Sequence, residues 1–190
     1  RRFTIMLLRL CYQIQDEVYR MMPLSRCDNS FCKPIPTYAS RITFQNFREE
    51  LGEYVYGDGV KLDKNHNKKC STNSYSSTRY RWVNINNFST RSGKPTIEFR
   101  NHGSSTSYEK IRNWILICMS IVKYAENNQR KIYFEPETIS LMNVIYSSLG
   151  TNLGGQVYHY YLKRVEKFEQ VHLNNRHLPS SIISRNTIIV

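Results

Sequence analysis

The segment Thr96-Ile97-Glu98-Phe99-Arg100-Asn101-His102-Gly103-Ser104-Ser105-Thr106-Ser107 begins as a strand and ends as a helix cap. Successive side chains of a strand alternate between faces, so Glu98 and Arg100 share one face while Ile97 and Phe99 share the other. One face is charged and the other apolar. Upstream, Tyr80, Trp82 and Asn84 alternate with Arg81, Val83 and Ile85, and the Thr90-Arg91-Ser92-Gly93-Lys94-Pro95 turn separates the two runs, which predicts two antiparallel strands. Downstream, Thr106 or Ser107 caps a helix with Glu109 or Lys110 in its first turn. Ile111, Trp114, Ile115, Cys118, Ile121 and Val122 recur at the spacing of a buried stripe. The expected unit is strand, turn, strand and long core helix.

Working outward, Phe3, Leu7, Leu10, Ile14, Val18 and Met21 recur every three or four positions, which predicts an amphipathic helix ending before Pro23, with Asp16 and Arg20 as an i,i+4 pair. A loop with Pro23, Pro34 and Pro36 follows. Phe44, Phe47, Leu51, Tyr54 and Val55 predict a second helix up to Gly57-Asp58-Gly59, before a stretch rich in Lys, Asn and Ser that is expected to be loop. Pro136 suits the first turn of a further helix carrying Ile139, Leu141, Met142, Val144, Ile145 and Leu149 to Gly150. Gly154 and Gly155 then introduce a charged helix through Tyr158, Tyr161, Leu162, Val165 and Phe168. The fold class expected is α+β, an antiparallel sheet covered by helices. Residues 1–130 are expected to form the catalytic part and residues 131–190 a helical extension and tail.

The chain has 190 residues, 40% hydrophobic and 22% charged, the balance of a folded domain rather than a disordered one. Arg9, Asp16 and Glu17 interrupt the N-terminal apolar run, so no membrane span is expected. A net charge of +12 favours phosphate-bearing partners, either nucleotides or nucleic acid. Five scattered cysteines do not form a disulfide framework, which points to a cytoplasmic or other reducing intracellular compartment. Cys11 and Cys118 read as small core residues.

Glu98 and Arg100 sit among residue types suited to phosphate and metal: Arg79 and Arg81 on the preceding strand, Asn84 and Asn86 after them, and Asn101, His102 and Gly103 immediately downstream. The stretch from Arg79 to Asn86, then Thr96 to Thr106 with its Glu-x-Arg, His and Gly, then Trp114, resembles the signature of the amidoligase family. This is a branch of the glutamine-synthetase-like carboxylate-amine ligases. The upstream Ser25-Arg26, Asn29 and Phe31-Cys32-Lys33-Pro34 segment also resembles that family's Arg, Asn and aromatic-Cys loop. The resemblance spans roughly residues 5 to 125. It implies a glutamine-synthetase-like sheet and a ligase that uses ATP and Mg2+ to activate a carboxylate as an acyl phosphate and join it to an amine, peptide or protein substrates included. It further implies that Glu98 binds Mg2+ and that Arg100 neutralises the transferring phosphoryl group. Arg26, Arg81 and His102 are implied as further catalytic residues, with Arg79, Asn84 and Asn86 on the nucleotide. That chemistry suits these residue types, because hard cations and guanidinium donors stabilise charge spread over phosphoryl oxygens.

The family places further Glu-x-Glu and His-bearing strands before this region, and the residues ahead of Glu98 do not supply them. The chain is therefore expected to be either a piece of a longer ligase or a degenerate member kept as a structural or nucleic-acid-binding subunit. For nucleic acid, Lys61, Lys64, Lys68, Lys69, Arg79 and Arg81 form a basic run beside Tyr75, Tyr80 and Trp82, which suit stacking on bases. For metal, Cys27, Cys32, His66 and Cys70 form a loose zinc candidate.

Overall fold

In the computed structural model, residues 2–27, 29–37, 42–43, 80–85 and 96–175 are described. Helix α1 (Arg2–Arg20) follows the predicted periodicity, and Met22 N closes its last turn on the Tyr19 carbonyl at 2.9 Å before Pro23. Its burial exceeds that of an amphipathic surface helix. Thr4 through Leu8, Leu10, Cys11, Ile14, Gln15, Val18 and Tyr19 are all buried, so α1 runs through the centre of the core. A short helix α2 (Leu24–Cys27) follows.

Strands β1 (Val83–Asn84) and β2 (Glu98–Phe99) pair antiparallel, with Val83 opposite Phe99 and Asn84 opposite Glu98. The α+β class therefore holds, with a sheet much smaller than expected among the described residues. The alternation expected from Tyr80 to Ile85 also fails, because Trp82, Val83, Asn84 and Ile85 are all buried. This segment is enclosed on both sides, so a period of two carries no in-and-out contrast.

Helix α3 (Tyr108–Asn127) starts at Ser107, whose hydroxyl accepts from Lys110 N at 3.5 Å. Its buried face is rotated from the predicted stripe: Trp114, Ile117, Ile121, Tyr124 and Ala125 are buried, whereas Ile111 and Ile115 are exposed. Helix α4 (Gln129–Phe134) and a 3-10 turn at Pro136–Thr138 lead to helix α5 (Leu141–Asn175). Ser140 caps α5 reciprocally, its hydroxyl accepting from Asn143 N at 3.2 Å while Asn143 Oδ1 accepts from Ser140 N at 3.1 Å.

Helix α5 is broken at Gly150, where φ is 75° and ψ 179°, a conformation open to glycine. The break folds the helix back on itself: a Cβ at Gly154 would lie 3.3 Å from the Tyr146 Cα, although eight residues of straight helix span about 12 Å. Gly154 and Gly155, expected to open a new helix, instead lie inside one, at the place where the two arms touch. Helix α5 packs on α3 and α1, and α1 also packs on α3 and α4. Ser148 Oγ donates to the Ser120 carbonyl at 3.0 Å where α3 and α5 meet. Among the described residues, no helix is long and apolar enough to cross a membrane.

Candidate active site

The sheet is extended on one side by the proline-bearing loop. Lys33 N donates to the Tyr80 carbonyl at 2.8 Å and Trp82 N to the Lys33 carbonyl at 3.0 Å, while Arg100 N donates to the Trp82 carbonyl at 2.8 Å on the other side. Three chain segments thus run side by side. The loop is shaped by Asn29, whose Oδ1 accepts from Phe31 N at 2.7 Å in an Asx turn, and Gln15 of α1 anchors it through both amide atoms to Ile35.

On this frame Glu98 and Arg100 share a face, as their spacing requires. Glu98 Oε2 accepts from Arg100 Nε at 3.0 Å, from Arg100 Nη2 at 2.6 Å and from Asn84 Nδ2 at 3.0 Å. Asn84 reaches that carboxylate because the register sets it directly opposite. The pair is only partly shielded, with side chains 40% and 26% exposed for Glu98 and Arg100, so solvent and ligand both have access.

Arg26 comes to the same end of β2 through Cys32. Its Nη1 donates to Cys32 Sγ at 3.7 Å, and Cys32 Sγ donates to the Arg100 carbonyl at 3.3 Å. Gly103 leaves room for the guanidinium, since a Cβ there would lie 3.7 Å from Arg26 Nε. His102 stacks on Trp114 with ring centroids 5.4 Å apart. Burial holds the His102 imidazole below its ordinary pKa, a hydrogen bond to the Gly103 backbone opposes this, and Arg164, Lys110 and Arg26 each push it further down. Between Arg100 and His102, Asn101 is fully buried, and neither polar atom of its amide has a hydrogen-bond partner among the described residues.

The structure therefore gathers Asn84, Glu98, Arg100, Arg26 and His102 around one strand end. Arg81 donates through Nη1 to the Pro34 carbonyl at 2.8 Å and lines a separate cavity of about 320 Å³ with Tyr12, Asp16 and Lys33. Arg79 and Asn86 lie outside the described residues. The charges of Lys110 and Arg164 also act on His102, which the sequence did not reveal: Lys110 read only as a first-turn residue of the helix, and Arg164 carries no motif.

The expectation of base stacking changes at Trp82, and the zinc candidate lies partly outside the described residues. Trp82 is fully buried and cannot stack on a base, while Tyr80 packs edge-on against Phe31 with centroids 5.1 Å apart. The remaining basic run and Tyr75 lie outside the described residues. The Cys27 thiol donates to the Tyr19 carbonyl at 3.6 Å, whereas Cys32 turns to Arg100; His66 and Cys70 are not among the described residues. Among those described, no three His, Cys, Asp or Glu side chains gather to hold a metal ion.

The family model described as "Putative amidoligase enzyme" matches residues 5–122, more than half of the chain. The chain belongs to the amidoligase family. No curated protein and no solved structure matches it. The amidoligase match takes in α1, the Cys32 loop, both strands and most of α3. It ends before α5, so Arg164, whose charge acts on His102, lies outside the matched region.

Proposed function

We propose that the chain contributes the site of an ATP- and Mg2+-dependent amidoligase that joins a carboxylate to an amine. In this reading a carboxylate oxygen attacks the γ-phosphorus of ATP and ADP leaves; the amine nitrogen then attacks the acyl phosphate carbonyl, phosphate leaves, and an amide forms with loss of one amine proton. The observation that carries the reading is the three-donor hold on Glu98 Oε2. Glu98 and Asn84 fix the Arg100 guanidinium through Nε and Nη2 and leave its Nη1 without a partner among the described residues. A guanidinium fixed on one edge is preorganised to bond phosphoryl oxygens with the other, at no reorganisation cost during transfer.

Mg2+ is commonly bound by one or two carboxylates together with substrate phosphates. Glu98 fits the share of one such ligand, while among the described residues no three His, Cys, Asp or Glu side chains gather to hold the ion by themselves. When bound, the ion would neutralise charge developing on the transferred phosphoryl group. The protein residues orient the nucleotide: Arg100 by its open edge, Asn84 by holding Glu98 in place.

Calorimetric titration of ATP into the chain with and without Mg2+ tests the reading. Mg2+-dependent binding that disappears in Glu98→Ala is expected. Binding indifferent to both the ion and the substitution would overturn the assignment.

A further inference from the structure

We propose that the cavity walled by α1, residues 33–37 and Arg81 binds a free α-amino acid with an apolar side chain, its carboxylate against Lys33 and Arg81 and its ammonium against Asp16. That this amino acid is a substrate rests on the ligase reading above; the binding site rests on the cavity.

The wall is built from three segments, each tied to another. Tyr12, Gln15 and Asp16 are spaced i, i+3 and i+4 and line the cavity from one side of α1. Gln15 is buried, and its amide clamps Ile35, with Nε2 3.3 Å from the Ile35 carbonyl and Oε1 2.9 Å from the Ile35 nitrogen. Pro34 and Pro36 fix φ on either side of Ile35, which stiffens the loop. Lys33 is bridged in parallel to Arg81, and Arg81 Nη1 donates to the Pro34 carbonyl at 2.8 Å. The space among these tied segments is therefore preformed. At about 320 Å³ it lies at the lower end of the range for small-molecule sites, about 300–1,000 Å³, and equals the share of about ten waters, which suits a free amino acid.

Among the described lining residues, Lys33 and Arg81 carry positive charge and Asp16 negative charge. A ligand that is only an anion would face Asp16, and one that is only a cation would face Lys33 and Arg81. A molecule with a carboxylate and an ammonium on one carbon answers both signs at once. Tyr12, Asp16 and Arg81 are half-buried, so these charges act in partial shelter from water, while Lys33 stands at the exposed rim. Pro34, Pro36 and the Tyr12 ring supply apolar wall for the ligand's side chain. The cavity also shares a backbone frame with the Glu98–Arg100 pair, because Trp82, next to Arg81, donates to Lys33 and accepts from Arg100.

Calorimetry of the full chain with leucine, leucinamide and N-acetylleucine tests the site. Leucine is expected to bind, and each analogue, lacking one of the two charges, to bind about tenfold more weakly. Lys33→Gln should weaken leucine about tenfold and leave leucinamide little changed, whereas Asp16→Asn should weaken leucine and leave N-acetylleucine little changed. Absence of leucine binding, analogues that bind as tightly as leucine, or leucine binding indifferent to both substitutions would refute the proposal. If a variant fails to fold, the analogue series on the parent chain decides. Leucine binding needs neither ATP nor Mg2+ and should survive Glu98→Ala, so the ligase reading and this site fail separately.

Discussion

At the scale of the residue, the site depends on how few side chains hold each other. Glu98 was legible because a strand spacing of two forces it to share a face with Arg100. The role of Asn84 was only half legible, since the register that sets it opposite Glu98 depends on a turn whose length does not fix pairing. Arg164 was not legible at all, because nothing local marks a helical arginine whose charge acts on His102 across the fold. His102 also gives a pH dependence. Its pKa in the folded chain lies below the usual 6.5, so as pH falls through that value the unfolded chain takes the proton first. Stability is full above about 6.5 and declines below it, toward the lowered value. Denaturant midpoints measured across this range should show an acid-side loss that His102→Gln reduces; an unchanged profile would mean that His102 contributes nothing to it.

At the scale of the element, the three glycines of α5 separate conformation from space. Gly150 has a positive φ but open surroundings, as a Cβ would meet nothing within 4 Å. Gly150→Ala is therefore a pure backbone substitution, expected to cost about 1–3 kcal/mol. At Gly154 the reverse holds: the conformation is helical, but a Cβ would press on the Tyr146 Cα at 3.3 Å and its ring Cδ1 at 3.4 Å. Gly155 faces only the Tyr146 hydroxyl at 3.7 Å, ordinary contact, so Gly155→Ala should gain about 0.5–1 kcal/mol from helix propensity. Thermal melts of the three variants should rank Gly155→Ala highest and Gly150→Ala below the parent. The sequence ended one helix at Gly150, where the break lies, but opened the next at Gly154 and Gly155 rather than directly after the break, because a glycine pair signals both a stop and a close approach. The rotation of the buried face of α3 has a related cause: Ile111 and Ile115 fit a helical stripe, but the position of α5 decides which stripe is covered.

At the scale of the whole molecule, α1 joins distant parts of the chain through its polar residues. Arg9 Nη2 donates to the Tyr133 carbonyl at 3.1 Å, the Tyr19 hydroxyl donates to the Cys32 carbonyl, and Glu17 Oε1 accepts from Leu141 N at 2.9 Å. Periodicity reveals the apolar residues of such a helix and says nothing about these ties, whose partners lie up to 124 positions away. Glu17 shows the balance involved. Burial pushes its carboxyl pKa up from 4.5, while the Leu141 bond and Arg20 hold it down. A raised carboxyl favours folding in its protonated form, so this contribution is present at low pH and is lost as pH rises from 4.5 through the raised value. Glu17→Gln keeps an acceptor for Leu141 without a buried charge and is expected to match or exceed the parent at neutral pH. Glu17→Ala removes the cap and should lose about 1 kcal/mol. Chemical denaturation at neutral pH checks the order, and Gln falling below Ala would refute it.

Cys32 gives the site a chemical clock. Its thiol is 1% exposed and is bonded to the Arg100 carbonyl, with the Arg26 guanidinium against it. An alkylating reagent can reach that sulfur only when the loop parts from the end of β2, so the labelling rate counts openings of the site. A molecule that holds Arg26 and Arg100 together would slow the clock, even one that is never turned over.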